Sequence, residues 1–256
     1  RIEIGGVGMD YRRLDEIVES YRDEIIGDIR KWVSVPSVLG EEEPGAPFGR
    51  ETRRALDAAL ETAKGYGFEA KDIDGYCGEV TMCAGAQTMG MLCHLDVVPA
   101  GDGWTKDPWG GEIADGRLYG RGTMDDKGPA VAALHAMRAV REAGIPMKDG
   151  VKLILGCDEE TGMTDMRYYK TKMPVPDYGF SPDAEFPVIN IEKGGLGLLI
   201  SAYAAEKDGE FPVVSMHAGE RCNVVPGTAT AVVSTKGLGF KELKARAKAV
   251  AEARGF

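Results

Sequence analysis

Met89-Gly90-Met91-Leu92-Cys93-His94-Leu95-Asp96 carries the first decision about the fold. Its first five residues are a short apolar run of the length expected for a buried strand, and the run ends on an imidazole and a carboxylate two residues apart. A strand's period of two puts His94 and Asp96 on one face and turns Cys93 to the other, so Cys93 and His94 form no nucleophile–base dyad. A histidine with a carboxylate beside it is a common arrangement for a metal ligand and its orienting partner. It is equally an ordinary structural polar contact, and the pair alone does not choose.

A second apolar run, Val151 to Leu155, has the same strand length. Between and before these runs lie helical patterns. Leu14, Ile17, Val18, Tyr21, Ile25, Ile29 and Trp32 recur at spacings of three and four, which predicts one amphipathic helix ending near Pro36. Leu56 to Ala63 before Gly65 predicts a second helix, and the Ala-rich stretch from Pro129 to Ala143 before Gly144 a third. Strands alternating with helices read as α/β. After Gly194-Gly195 the pattern changes to strand-like runs at Leu196–Tyr203, Phe211–Met216 and Thr228–Ser234, then a Lys/Ala-rich helix from Phe240 to Arg254. The expected division is residues 1–193 as one α/β domain and 194–256 as the opening of a smaller α+β domain.

Composition narrows the function classes. With 41 acidic against 31 basic side chains and a net charge of -10, the chain is a poor partner for nucleic acid or an anionic membrane. Its five cysteines are odd in number, scattered and never spaced C-x-x-C, which suggests neither a disulfide framework nor a thiolate zinc site and fits the cytoplasm. No apolar run approaches a membrane span. The expected partner is a small molecule, and the oligomeric state stays open.

Three further clusters join His94 and Asp96. Tyr119-Gly120-Arg121-Gly122-Thr123-Met124-Asp125-Asp126-Lys127-Gly128 is a glycine-rich turn with two carboxylates leading into a helix, which could also be a solvated turn with an N-cap aspartate. Asp158-Glu159-Glu160 directly follows the second apolar run; three adjacent acids repel one another unless solvent or a cation neutralises them. Ser181-Pro182-Asp183 sets an acid among apolar residues and prolines, where a carboxylate needs a partner. The common theme is hard oxygen donors with one imidazole, a set for zinc, manganese or cobalt.

These four motifs, in this order, resemble the M20 metallopeptidases. His94-Leu95-Asp96-Val97-Val98-Pro99-Ala100-Gly101, Gly103-Trp104 to Asp107-Pro108 and Phe180 to Pro187 are most similar to the PepV-type dipeptidase branch. The resemblance implies a mixed-sheet catalytic domain with a smaller α+β lid domain. It implies hydrolysis of dipeptides or short peptides by a water that two divalent ions activate. His94 and Asp183 would bind one ion, Glu160 the other, and Asp125 both; zinc is the expected metal, with manganese or cobalt possible. Glu159 would be the general base, Asp96 would hold His94 or tune the base, and Asn223 would contact substrate. A cis peptide bond is implied between Asp125 and Asp126. Alternatives are an N-acyl amino acid hydrolase or desuccinylase built on the same core, and an inactive fragment serving as a binding module.

One departure from the family pattern stands out. The second metal site is closed in that pattern by a late histidine, and neither His135 nor His217 occupies its place. Arg1 at the start and Phe256 directly after a helical pattern read as the ends of a fragment, so the architecture is expected to be incomplete and the chain weakly active or inactive, binding one metal better than two.

Overall fold

Residues 11–185, 187–191, 194, 196, 198–200, 213–219, 227–235 and 237–255 are described by the structure, a computed structural model. By chain contacts it divides into residues 1–189 and residues 190–256. In the first unit the order is α1 (Tyr11–Ser20), α2 (Arg22–Val33), α3 (Arg50–Gly65), β1 (Glu69–Ile73), β2 (Cys77–Cys83), β3 (Thr88–His94), β4 (Glu112–Ala114), β5 (Arg117–Tyr119), α4 (Lys127–Glu142), β6 (Gly150–Gly156), α5 (Thr164–Lys172) and β7 (Tyr178–Phe180).

Five of these strands form one mixed sheet in the order β1-β2-β6-β3-β7. β1, β2 and β6 pair antiparallel, while β3 runs parallel to both β6 and β7. The two apolar runs of the sequence are thus neighbours in register, Met91 beside Leu153 and His94 beside Gly156. Alternation sends Met91, Cys93, Val151, Leu153 and Leu155 to one face, where they pack with Trp32, Leu56, Leu60, Val131 and Leu134 from α2, α3 and α4. Ile154 and Leu92 point the other way, toward Tyr169 and Met166 of α5. A sheet covered on both faces explains why these strands read as continuous apolar runs instead of alternating ones.

The single helix predicted before Pro36 is instead two, broken at Tyr21, whose φ of -90° and ψ of 0° leave the helical well. Its N–H bonds to Val18 O at 3.0 Å, a tighter i−3 turn. Tertiary contacts hold the break: Tyr21 is buried, its hydroxyl meets Glu142 of α4, and the Arg138 guanidinium lies 3.8 Å from its ring centroid.

The second unit contains β8 (Val213–Ala218) paired antiparallel with β9 (Ala229–Val233), and α6 (Phe240–Arg254). The strand predicted over 196–203 is absent at its described positions, Leu196 and 198–200. Among the described residues no helix is long and apolar enough to cross a membrane.

Candidate metal centre

Three parallel strands end at one edge of the sheet, and that edge collects the chemistry. β3 delivers His94 and then Asp96; β6 delivers Asp158-Glu159-Glu160; β7 leads through Ser181-Pro182 to Asp183. Carboxyl ends of parallel strands are the usual place for a ligand site in open α/β sheets. The fourth contribution, Asp125, comes from the turn that enters α4, and its bond to Asp126 is cis.

His94 is the centre of the cluster and is almost fully buried, with a side chain 3% exposed. Its Nδ1 lies 2.9 Å from the Asp96 main-chain carbonyl, which can only accept, so Nδ1 carries a proton. The Asp96 carboxylate is farther from that nitrogen, at 3.4 Å. Nε2 is left facing Asp125 Oδ1 at 2.9 Å, Asp183 Oδ2 at 3.4 Å and Glu159 Oε2 at 4.0 Å. Fixing the tautomer through the far nitrogen is how a ligating imidazole is oriented.

Electrostatics point the same way. Burial by itself disfavours an imidazolium at His94, but its contacts with Asp125, Asp183 and Asp96 outweigh burial and push its pKa well up. Contact with His94 holds the Asp125 carboxyl below the usual range. Desolvation raises Glu159 and Glu160, and neighbouring carboxylates add to it. So many acids facing one imidazole form a site that stabilises positive charge.

The donor geometry fits a divalent cation. Ligand atoms of His94, Asp125 and Glu160 lie within 4.8 Å of one another, and so do those of His94, Glu159 and Asp183. Two donors on a tetrahedral ion at ~2.1 Å lie about 3.4 Å apart, so closing either set takes side-chain movement of up to about 1 Å. One imidazole with carboxylates suits zinc or manganese better than thiolate-seeking metals. Both sets use the same histidine, and Glu159 stands at the same range as the other acids. Asn223 lies outside the described residues; His135 is buried against Asp28 and Tyr66 at the helical face, and His217 is an exposed residue of β8.

Several supporting residues had no clear sequence signal. Asp126, expected at most as a helix cap, makes no side-chain cap bond; its Oδ2 accepts the His94 N–H at 3.0 Å. Burial pushes Asp126 up to about 7. Lys127 is fully buried and donates to the carbonyls of Trp32 at 3.0 Å and Val35 at 2.7 Å, tying the α4 turn to the end of α2. Asp96 does more than touch His94: its two oxygens accept the N–H groups of Glu159 at 3.2 Å and Glu160 at 3.1 Å. Of the three adjacent acids, Asp158 turns away into its own loop, accepting from the Thr161 hydroxyl and from the Thr164 N–H at 2.9 Å. The mutual repulsion expected of that triplet is therefore relieved partly by direction, with only Glu159 and Glu160 facing the cluster.

Comparison with known proteins adds a separate line. Residues 90–249 match the model of peptidase family M20/M25/M40. The chain is 39% identical over 216 residues to YtjP of Bacillus subtilis (strain 168), provisionally named a dipeptidase, covering 83% of this chain and 47% of that protein. It is 37% identical over 222 residues to the Beta-Ala-Xaa dipeptidase of Lactobacillus delbrueckii subsp. lactis, covering 86% and 47%. Among solved structures, human carnosine dipeptidase 1 superposes with a TM-score of 0.55 at 25% identity, covering 66% of this chain and 40% of that one. The chain spans about half the length of the curated relatives it matches.

Proposed function

The chain belongs to peptidase family M20/M25/M40, and from that membership we propose that the protein hydrolyses dipeptides or other short peptides at a site for two divalent ions. The observation that carries this reading is the convergence of His94 Nε2 with Asp125, Asp183, Glu159 and Glu160 at one sheet edge. The names of two relatives, both dipeptidases, support the substrate class.

His94 and Asp183 would hold one ion, Glu160 the other, and Asp125 would reach both with its two oxygens. Zinc, or else manganese or cobalt, would supply Lewis acidity there, polarising the scissile carbonyl and easing deprotonation of water. The rest falls to the chain's own groups. Glu159, partly exposed and with its pKa raised above that of an ordinary glutamate by burial, takes the proton of the attacking water and returns it to the leaving amine. Asp96 holds the backbone of Glu159 and Glu160 while standing beside His94, so one carboxylate sets the base and a ligand together. Asn223 is proposed as a substrate contact, residues 194–256 as the start of a lid, and the cytoplasm as the working compartment.

The test is an assay of the full-length protein against dipeptides and N-acyl amino acids, each after chelation and after adding zinc or manganese. Metal-dependent release of free amino acids from dipeptides is the expected result. Turnover of N-acyl amino acids alone would replace the substrate class, and turnover unaffected by chelation would remove the metal from the reading.

A further inference from the structure

The loop carrying Glu159 and Glu160 is gripped twice. Asp96 holds the two glutamates' own N–H groups from the front. From behind, Asp165 in the first turn of α5 holds the two residues that precede them. Its Oδ2 accepts the Cys157 N–H at 2.6 Å and the Asp158 N–H at 3.0 Å, while Oδ1 accepts the Met166 N–H at 2.6 Å. Asp165 is 1% exposed and takes part in no ion pair among the described residues. A carboxylate buried without a cation is costly unless N–H donors converge on it, and here three do.

The backbone makes room for this contact. Gly156 is the last residue of β6, and a Cβ there would stand 2.6 Å from Asp165 Oδ2. Asp158 then closes the loop on itself, its carbonyl accepting from Gly162 at 3.1 Å and Met163 at 2.7 Å before α5 begins. The helix start, the strand end and the acidic loop are thus joined through one side chain.

We propose that Asp165 is a positioning residue for the metal centre: by capping the open end of β6 it fixes the step from strand to loop, and so the direction in which Glu159 and Glu160 leave the sheet. The proposal rests on the peptidase reading for its kinetic consequence, but its structural consequence is independent of that reading. The working group is the Oδ2 acceptor, so Asp165→Asn, whose amide oxygen can take the Cys157 and Asp158 N–H groups while giving up only the Oδ1 contact to Met166, keeps the function, whereas Asp165→Ala loses it. Gly156→Ala reaches the same defect from the opposite side of the contact.

The experiment uses the full-length protein loaded with manganese, with these three variants compared by amide hydrogen exchange over residues 156–160, by kcat and KM on a dipeptide, and by Tm. In Asp165→Ala and Gly156→Ala the Cys157 and Asp158 amides should exchange faster. Because misplacement of catalytic groups by about 1 Å costs up to ~100-fold, kcat should fall at least roughly tenfold with KM within about twofold. Asp165→Asn should stay within about threefold of the parent and keep its amide protection. The proposal is overturned if Asp165→Ala and Gly156→Ala lower Tm while kcat per folded molecule and amide protection stay at parental values, or if Asp165→Asn is as impaired as Asp165→Ala. Should Asp165→Ala fail to fold, Gly156→Ala and Asp165→Asn make the same comparison. Should the parent hydrolyse no peptide, the peptidase reading falls and the exchange data alone decide the role of Asp165.

Discussion

At the residue scale, proximity does not separate ligand from base, because Glu159 and Asp183 lie at similar range from the same imidazole nitrogen. Substitution does. Glu159→Gln keeps size and hydrogen bonding but cannot take up a proton, so kcat should drop by about 10²–10⁴ while bound metal, measured by elemental analysis, stays at the parental ratio. Metal lost together with activity would place Glu159 in the coordination shell. Lys127 offers a second residue-scale test. Its terminal nitrogen donates to two buried carbonyls that have no solvent to turn to. Lys127→Met fills similar buried space and leaves both unpaired, at about 1–3 kcal/mol for each buried group. Urea unfolding should show a lower midpoint with little change in slope.

At the element scale, the packing of α2 against α4 and α3 runs through a polar cluster inside an apolar face. Asp28 of α2 accepts from the Tyr66 hydroxyl at 2.7 Å and meets His135 Nε2 of α4 at 2.9 Å. Burial works to raise the Asp28 carboxyl, yet the bonds from His135 and Tyr66, with the charges of His135 and Lys31, leave it below the ordinary value. A carboxyl whose folded pKa is depressed contributes stability above the unfolded value of about 3.9, and that contribution is lost as pH falls through the folded pKa. Asp28→Asn should therefore lower Tm at neutral pH and lose less than the parent on acidification below about pH 4, so that the two curves converge. Parallel curves across that range would show that the cluster is held by something other than the Asp28 charge. The same helix, α4, holds the break at Tyr21 through Glu142 and Arg138. Helical spacing carries through that position, but only contact with α4 shows that the chain must bend there to lay α1 and α2 on the same helix.

At the scale of the whole molecule, the candidate metal centre gathers its side chains from three strand ends and one helix turn, so a cation bound there would couple to the folding of this edge. Among the described residues a single histidine faces the site, and both candidate ligand sets share it. The 256-residue chain should bind near one equivalent of zinc tightly by calorimetry, with a second much weaker, and saturation at about 100 times Kd should raise stability by about 2.7 kcal/mol. Two tight equivalents would mean that another histidine completes the centre. Much of this was legible in the sequence. Met89–Cys93 and Val151–Leu155 are strands because a strand covered on both faces must be apolar throughout, and α6 spans Phe240–Arg254 as its composition predicts. The order of the motifs carrying His94, Asp125, Glu160 and Asp183 named the candidate site through its resemblance to a family pattern, since the order of motifs survives in one dimension. The hairpin of β1 and β2 was missed because its residues mix burial without a clean period. What only the tertiary structure decided is the work of Asp126, Lys127 and Asp165. Each satisfies backbone groups brought close by a different element, and the need for a donor or acceptor at such a point exists only after the strands and helices have packed.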